Sequence, residues 1–298
     1  MTQSRRTLLR GAVGAGALSP FLALATAMQR VAAEDGAAAR FGSTAKEAEA
    51  IAFRAHEDLM AYPGLKMHGS EEVAMLVYPN MTMLDLVGPQ YFFSSMMGAT
   101  VRLVAKDPDL APVMGDTGFA IVPTTSMADC PQALDILFVP GGLGGTIDAM
   151  RDDGTIDFVA DRGARAKNVT SVCTGSLILG QAGLLEGKRA TSHWAARHLL
   201  SEFGATPVAE RVVTDGKVTT GAGVSAGLDF ALALLAQLRG APYAKAIQLQ
   251  AEYAPAPLFD AGTPETADPA LRDPLHEMFA SALFSMKEAA RSARTGSR

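Results

Sequence analysis

Short apolar runs alternate with helix-forming stretches through most of this chain. The clearest runs are 72–79 and 135–140, the mixed stretch Val-Thr-Ser-Val at 169–172 is a further strand candidate, and each passes directly into a turn or a helix-forming stretch. Strands without a regular polar alternation are typical of sheets buried on both faces. The alternation of such strands with helices predicts one doubly wound α/β domain, a mostly parallel sheet with helices on both faces.

The same pattern divides the 298 residues into four segments. We expect a signal segment at 1–33, a helical strap at 34–70, the α/β domain at 71–268 and a helical tail at 269–298. Hydrophobic residues make up 48% of the chain and charged residues 19%. The domain therefore has enough apolar side chains for a sizeable core.

Charge and cysteine content exclude two classes of protein. The formal net charge is −5, and Lys and Arg are scattered rather than clustered, so we expect no nucleic-acid partner. Two cysteines, Cys130 and Cys173, are too few for a disulfide framework. Cys130, which precedes Pro131, is interpreted as a passive thiol.

The first residues have the pattern of an export signal. Arg5 and Arg6 form a twin-arginine pair, and a weakly apolar run over 11–27 follows. This order predicts export by the twin-arginine route to the periplasm, with cleavage after Ala27 or Ala33. The alternative is an ordinary basic start before an amphipathic helix. No other segment approaches the roughly 18 apolar residues of a membrane span, so we expect no stable membrane anchor after cleavage.

Candidate site residues follow three of the predicted strands. Ligands of doubly wound sheets bind beyond the carboxyl ends of the strands, which here lead to Asp85, Gly142 and Cys173. Cys173 stands between a strand and a helix-forming stretch, the setting that projects a nucleophile from a sharp turn. The N–H groups at a helix start favour thiolate, so we expect a lowered pKa. The alternative is a buried, inert cysteine.

The other two strand ends each allow two interpretations. Asp85 lies between Leu84 and Leu86, an apolar setting that would raise its pKa and keep it protonated as a donor. Alternatively, Asp85 is an N-cap. The N–H groups of Gly142 and Thr174 are candidates to face a developing negative charge, or Gly142 is merely a turn glycine.

Several other features carry no prediction of chemistry. The glycine-rich stretches 141–146 and 221–227 lack the dinucleotide-binding spacing, so we do not expect them to bind a phosphate group. The histidines show no ligand spacing, so we expect no metal. His193 precedes a helix start and is interpreted as a structural capping residue rather than a base.

Several separated motifs resemble the DJ-1/PfpI superfamily and, within it, the isonitrile hydratases. The resemblance extends over about 73–266. The motifs are Leu-Asp-Leu-x-Gly-Pro at 84–89, Val-Pro-Gly-Gly at 139–142, Val-Cys-Thr-Gly-Ser at 172–176, Thr-x-His-Trp at 191–194, Gly-x-Gly-Val-x-Ala-Gly at 221–227 and the stretch 248–257.

This resemblance implies a flavodoxin-like fold, similar to class I glutamine amidotransferases, and usually a homodimer without cofactor. It assigns the nucleophile to Cys173, the acid to Asp85 and a supporting hydroxyl to Thr174. The implied reaction is the hydration of a small isonitrile to an N-substituted formamide through a thioimidate, catalysed by a lyase.

Two other functions remain open at this point. The first is a different thiol enzyme of the superfamily that acts on reactive carbonyls, in the manner of a glyoxalase. The second is a non-catalytic ligand-binding or sensor module, although 269–298 is too short for a DNA-binding helix pair. Thr174 stands where protease-like members carry His, which argues against peptidase activity. The signal segment, the strap and the tail depart from the family pattern.

Overall fold

A computed structural model describes residues 41–294, which fall into two compact units, 41–67 and 68–294. The first unit contains helix α1 (Ala45–Met60). The hydroxyl of Thr44 accepts the N–H of Glu47, whose side chain returns to the N-cap backbone, so a capping box starts the helix. The predicted signal segment, 1–33, and the start of the strap lie outside the described residues.

The second unit contains the strands and the remaining helices. The strands are β1 (Glu72–Leu76), β2 (Thr100–Ala105), β3 (Val113–Met114), β4 (Ala120–Ile121), β5 (Thr125–Ser126), β6 (Ile136–Val139), β7 (Asn168–Val172), β8 (Arg189–Ala190), β9 (Thr206–Pro207), β10 (Val212–Asp215) and β11 (Val218–Gly221). The helices are α2 (Met83–Ser94), α3 (Gly144–Arg151), α4 (Asp153–Arg165), α5 (Gly175–Gln181), a 3₁₀ helix (Arg197–Phe203), α6 (Ala226–Arg239), α7 (Ala241–Gln250), α8 (Pro269–Met278) and α9 (Ala280–Arg294).

Seven strands form the central sheet in the order β10-β11-β7-β6-β1-β2-β5. All neighbours are parallel except β10 and β11, which form an antiparallel hairpin. From β1 the chain proceeds to β2 and β5 on one side, and then to β6, β7 and β11 on the other. The mostly parallel, doubly wound prediction is confirmed, and the strand order reverses between β1 and β6.

The core lies where the continuously apolar strands meet the helices. All of β6 is buried, and Phe138 from this strand packs against Phe93 of α2 and Phe230 of α6. The helices α3, α4 and α5 pack together as a second group, and α5 also contacts β6 and β7. Both faces of β6 are thereby removed from water, which explains its lack of polar residues.

Two helix-forming stretches differ in how regular they are. The stretch 145–166 contains the two helices α3 and α4, which are separated where extended Asp152 accepts the N–H of Thr155 and starts a new helix. The stretch 194–203 forms only a short 3₁₀ helix, which ends at Gly204, whose φ of 70° is left-handed.

The tail, expected to be helical over 269–298, contains two helices. It forms α8, which starts at Pro269, and then α9. α9 packs against α3 and the 3₁₀ helix, and it buries Met286. The side-chain amide of Gln181 donates to a backbone carbonyl of α9 at a distance of 3.3 Å. The tail is therefore part of the second unit.

Within 41–294, no helix combines the length and the apolar character needed to cross a membrane.

Candidate active site

Cys173 occupies a sharp turn between β7 and α5. Its φ of 58° lies in the left-handed region, which costs a residue with a side chain about 1–3 kcal/mol. Four hydrogen bonds hold this conformation. The Cys173 N–H donates to the carbonyls of Gly221 and Ala222 at 3.0 and 3.1 Å, and its carbonyl accepts the hydroxyls of Ser176 and Ser192, both at 3.0 Å. The predicted strand–turn–helix setting is confirmed.

The turn after β6 lies directly against the cysteine. A Cβ added at Gly141 would lie 2.8 Å from the Cβ of Cys173 and 2.6 Å from the amide nitrogen of Thr174. A residue with any side chain would therefore displace one of the two turns. The glycine thus allows the ends of β6 and β7 to bring their backbones together at the site.

Asp85 is the third residue of α2 and is completely buried. Its Oδ2 accepts the N–H of Gly141 at 3.1 Å, whereas its Oδ1 has no hydrogen-bonding partner among the described residues. Burial raises the pKa of Asp85 to about 7, although the Cys173 side chain and the Gly141 N–H lower it. The prediction of a raised pKa is confirmed.

The alternative interpretation of Asp85 as a helix cap is wrong. The N-cap of α2 is Thr82, three residues earlier, and the Asp85 carboxyl accepts a hydrogen bond from the Gly141 amide. The carboxyl faces the adjacent turn and the Cys173 thiol rather than the start of its own helix.

The expectation of a lowered pKa for Cys173 is also wrong. Burial is the largest cause and raises the pKa of the thiol well above its usual value, and the negative charge of Asp85 raises it further. The amide and hydroxyl of Thr174 lower the pKa, but burial prevails. The resting sulfur is therefore a thiol beside a carboxyl group that is half ionised near neutral pH. Two groups this strongly coupled titrate as a pair.

Thr174 hydrogen-bonds to the turn after β6. Its hydroxyl donates to the Gly142 carbonyl at 2.6 Å and accepts the Gly142 N–H at 3.0 Å. The expected use of the Gly142 N–H for a developing negative charge is therefore corrected, because the Thr174 hydroxyl already occupies it. The Thr174 N–H is hydrogen-bonded to the Cys173 sulfur. The N–H groups of Gly142 and Thr174 therefore point to different atoms.

Residues that the motifs did not identify complete the buried network. Thr146 of α3 lies 2.9 Å from the Thr174 hydroxyl, and the Tyr78 hydroxyl donates to the Pro140 carbonyl at 2.7 Å. Ser192, an unspecified position of the Thr-x-His-Trp motif, holds the Cys173 carbonyl. Ser192 could have been suspected from that motif, whereas no local signal indicates Thr146 or Tyr78.

His193 has a structural role, as expected. Its carbonyl accepts the N–H groups of Ala196 and Arg197, and its Nδ1 accepts that of Ala195 at 3.4 Å. The ring packs against Trp194 and Phe279, and burial lowers its pKa.

Cys130 and Cys173 are both free and buried. In the part of the chain that the structure describes, no group of three or more His, Cys, Asp or Glu side chains is arranged to hold a metal ion.

Comparison with known proteins places these features in a family. The model of the DJ-1/PfpI family matches residues 71–237. The chain is 51% identical to an isonitrile hydratase of Pseudomonas putida over 203 residues, which cover 68% of this chain and 87% of that protein. It is 30% identical to protein DJ-1alpha of Drosophila melanogaster over 152 residues, covering 50% and 70%. A crystal structure of a ThiJ/PfpI family protein from Pseudomonas syringae matches with a TM-score of 0.75 and 50% identity, covering 77% of this chain and 96% of that one.

Proposed function

This chain belongs to the DJ-1/PfpI family, and we propose that it hydrates isonitriles to N-substituted formamides through a covalent intermediate on Cys173. The observation that carries the proposal is the pair formed by the Cys173 thiol and the buried Asp85 carboxyl, whose pKa is about 7. The 51% identity to the isonitrile hydratase of Pseudomonas putida supports the choice of substrate class.

The first step adds the thiol across the terminal carbon of the isonitrile. Asp85, as carboxylate, accepts the proton of Cys173, and the sulfur forms a bond to that carbon. Asp85 then donates the same proton to the carbon, so the S–H bond is replaced by C–S and C–H bonds in a thioimidate. A carboxyl group whose pKa lies near the working pH is suited to both transfers.

The second step consumes water. Asp85 accepts a proton as the water oxygen bonds to the thioimidate carbon, and this proton passes to the nitrogen. The resulting tetrahedral carbon loses its hydroxyl proton to Asp85 as the C–S bond breaks, and the departing sulfur takes that proton back. The products are the formamide and the restored thiol, and every atom comes from the isonitrile and one water molecule.

Thr174 supports both steps through two different groups. Its amide N–H lies at the sulfur, where it stabilises negative charge as the thiol loses its proton. Its hydroxyl holds Gly142, which fixes the turn that supplies the Gly141 amide to Asp85. Removal of the hydroxyl should therefore lower the rate without removing the nucleophile.

The test incubates the purified protein with a simple alkyl isonitrile and follows the formamide by mass spectrometry. We expect turnover by the wild type and none by Cys173→Ala, because Cys173 is the thiol that lies beside the Asp85 carboxyl. Melting curves of both proteins serve as the folding control.

Two results would contradict the proposal. If the wild type does not convert isonitriles but does convert glyoxals, the protein is the thiol enzyme that acts on reactive carbonyls. A wild type that binds isonitriles without turnover, with equal affinity in Cys173→Ala, would indicate a ligand-binding module.

A further inference from the structure

The helix that carries Asp85 does not cap its own start. The N-cap of α2, Thr82, makes no side-chain hydrogen bond to the helix. Asp116, in the turn between β3 and β4, caps the start of α2 instead. Its Oδ1 accepts the N–H of Met83 at 3.3 Å, and its Oδ2 accepts the Thr82 hydroxyl at 2.8 Å. The first turn of α2 is therefore held by a residue that is 31 positions from Asp85 in the sequence.

Backbone contacts bind the same hairpin to the segment before α2. The N–H of Asp116 donates to the Met81 carbonyl at 3.0 Å, and the N–H of Asn80 donates to the Met114 carbonyl at 2.9 Å. On the opposite side, the N–H of Thr82 donates to the Gly141 carbonyl at 2.8 Å. The segment is thus fixed between the hairpin and the turn that contacts Cys173.

Gly115 lies in close contact with the same segment. A Cβ at Gly115 would lie 2.6 Å from Cε of Met83 and 3.3 Å from the Met81 carbonyl oxygen. A side chain there would require the flexible end of Met83 to move and would press on the Met81 carbonyl, which accepts the Asp116 N–H.

Asp116 also places a negative charge near the reacting pair. Asp116 is the group whose charge acts on the Asp85 carboxyl, while Cys173 acts on it through a hydrogen bond and Tyr78 is the third buried titratable group that feels the Asp85 charge. Cys173 and Tyr78 are buried, whereas Asp116 is exposed. Its carboxylate repels a negative charge on Asp85 and so favours the protonated acid.

We propose that Asp116 is a positioning residue for the reaction, which fixes the start of α2 so that the Asp85 carboxyl faces the Cys173 sulfur. The proposal rests on the proposed function for its kinetic effect. Its effect on the Cys173–Asp85 pair does not depend on the substrate.

The experiment separates the hydrogen bonds of Asp116 from its charge. Asp116→Ala removes both, whereas Asp116→Asn removes the charge, retains a carbonyl acceptor for the Met83 N–H and presents an amide N–H that the Thr82 hydroxyl can accept. The matched control is Asp152→Ala, which removes the corresponding cap of α4, a helix that supplies no site residue. The readouts are kcat and KM for a simple alkyl isonitrile, the melting temperature, and the rate of Cys173 alkylation by iodoacetamide as a function of pH.

We expect Asp116→Ala to lower kcat by about 10- to 10²-fold with little change in KM, because the acid is displaced rather than the binding surface. Asp116→Asn should keep most of kcat and move the lower inflection of the alkylation profile to more acid pH, because a repelling charge is gone. Asp152→Ala should lower only the melting temperature.

The positioning role is overturned if Asp116→Ala behaves like Asp152→Ala, with kcat and the alkylation profile unchanged. An unshifted inflection in Asp116→Asn would overturn the contribution of charge. If the wild type does not hydrate isonitriles, the proposed function fails, but an altered alkylation profile in Asp116→Ala would still support the positioning of Asp85.

Discussion

The Asp85 carboxyl is buried at the expense of folding stability. Its pKa in the folded chain is about 7, against an ordinary value of 3.8. Between these values the folded chain retains a proton that the unfolded chain releases, so stability falls as the pH rises from about 4 to 7. The raised pKa of this carboxyl thus makes stability fall as the pH rises, whereas the lowered pKa of an ion-paired carboxylate makes stability increase with pH. The energy lost is of the order of a few kcal/mol at neutral pH.

Asp85→Asn should restore the folding stability that the buried carboxyl costs and should strongly lower turnover. Asn accepts the Gly141 N–H but carries no transferable proton, so turnover should fall by about 10²–10⁴-fold. Its melting temperature should exceed that of the wild type by an amount that grows between pH 4 and 7. The exposed Asp260→Asn is the matched control, with no pH-dependent difference expected. A fully active Asp85→Asn protein would exclude the mechanism.

Sequence patterns identified Cys173, Asp85 and Thr174, and the structure brings all three together. They did not give the direction of the Cys173 pKa shift. The helix start was visible in the sequence, but the burial of the sulfur depends on contacts distant along the chain. The same applies to Gly142, whose amide is occupied by a hydroxyl 32 residues away.

Among the secondary-structure elements, apolar strands were easier to predict than helix ends. β6 is marked by its apolar character, and both β6 and β7 are marked by the turns that follow. The boundary between α3 and α4 depends on one Asp152 side chain that starts a new helix. An aspartate within a helical pattern is compatible with a continuous helix or with a new start, so the position of the boundary could not be predicted.

α9 supports the site through α3, the helix that carries Thr146. Met286→Ala should therefore destabilise the protein by about 2–5 kcal/mol, since its buried side chain is replaced by a cavity. Met278→Ala in α8 is the control, because that side chain is 79% exposed and its loss should change little. Thermal melting measures both. Equal melting temperatures of the two variants would show that the tail contributes nothing to the stability of the unit.

At the scale of the whole molecule, the alternation of strands and helices was sufficient to predict the architecture. Parallel strands require crossover connections, and buried strands require helices on both faces, so few other arrangements satisfy the pattern. The two-residue strands β8 and β9 were less predictable, because a strand of two residues shows no periodicity.

We propose that the chain is exported folded by the twin-arginine route, on the basis of Arg5 and Arg6, which lie outside the described residues. Replacing both by Lys should retain the protein in the cytoplasm, because the transporter distinguishes the arginine pair from charge alone. Cell fractionation of the two forms measures this. Unchanged export of the Lys variant would contradict the proposal.

The burial of the Cys173 thiol has a consequence for the durability of the protein. Peroxides attack thiolates far faster than thiols, and the raised pKa of Cys173 keeps its resting sulfur protonated. The neighbouring carboxyl can accept that proton when an electrophile is present. If Cys173 is the nucleophile proposed above, we expect the resting protein to be oxidised by peroxide more slowly than an enzyme with a resting thiolate.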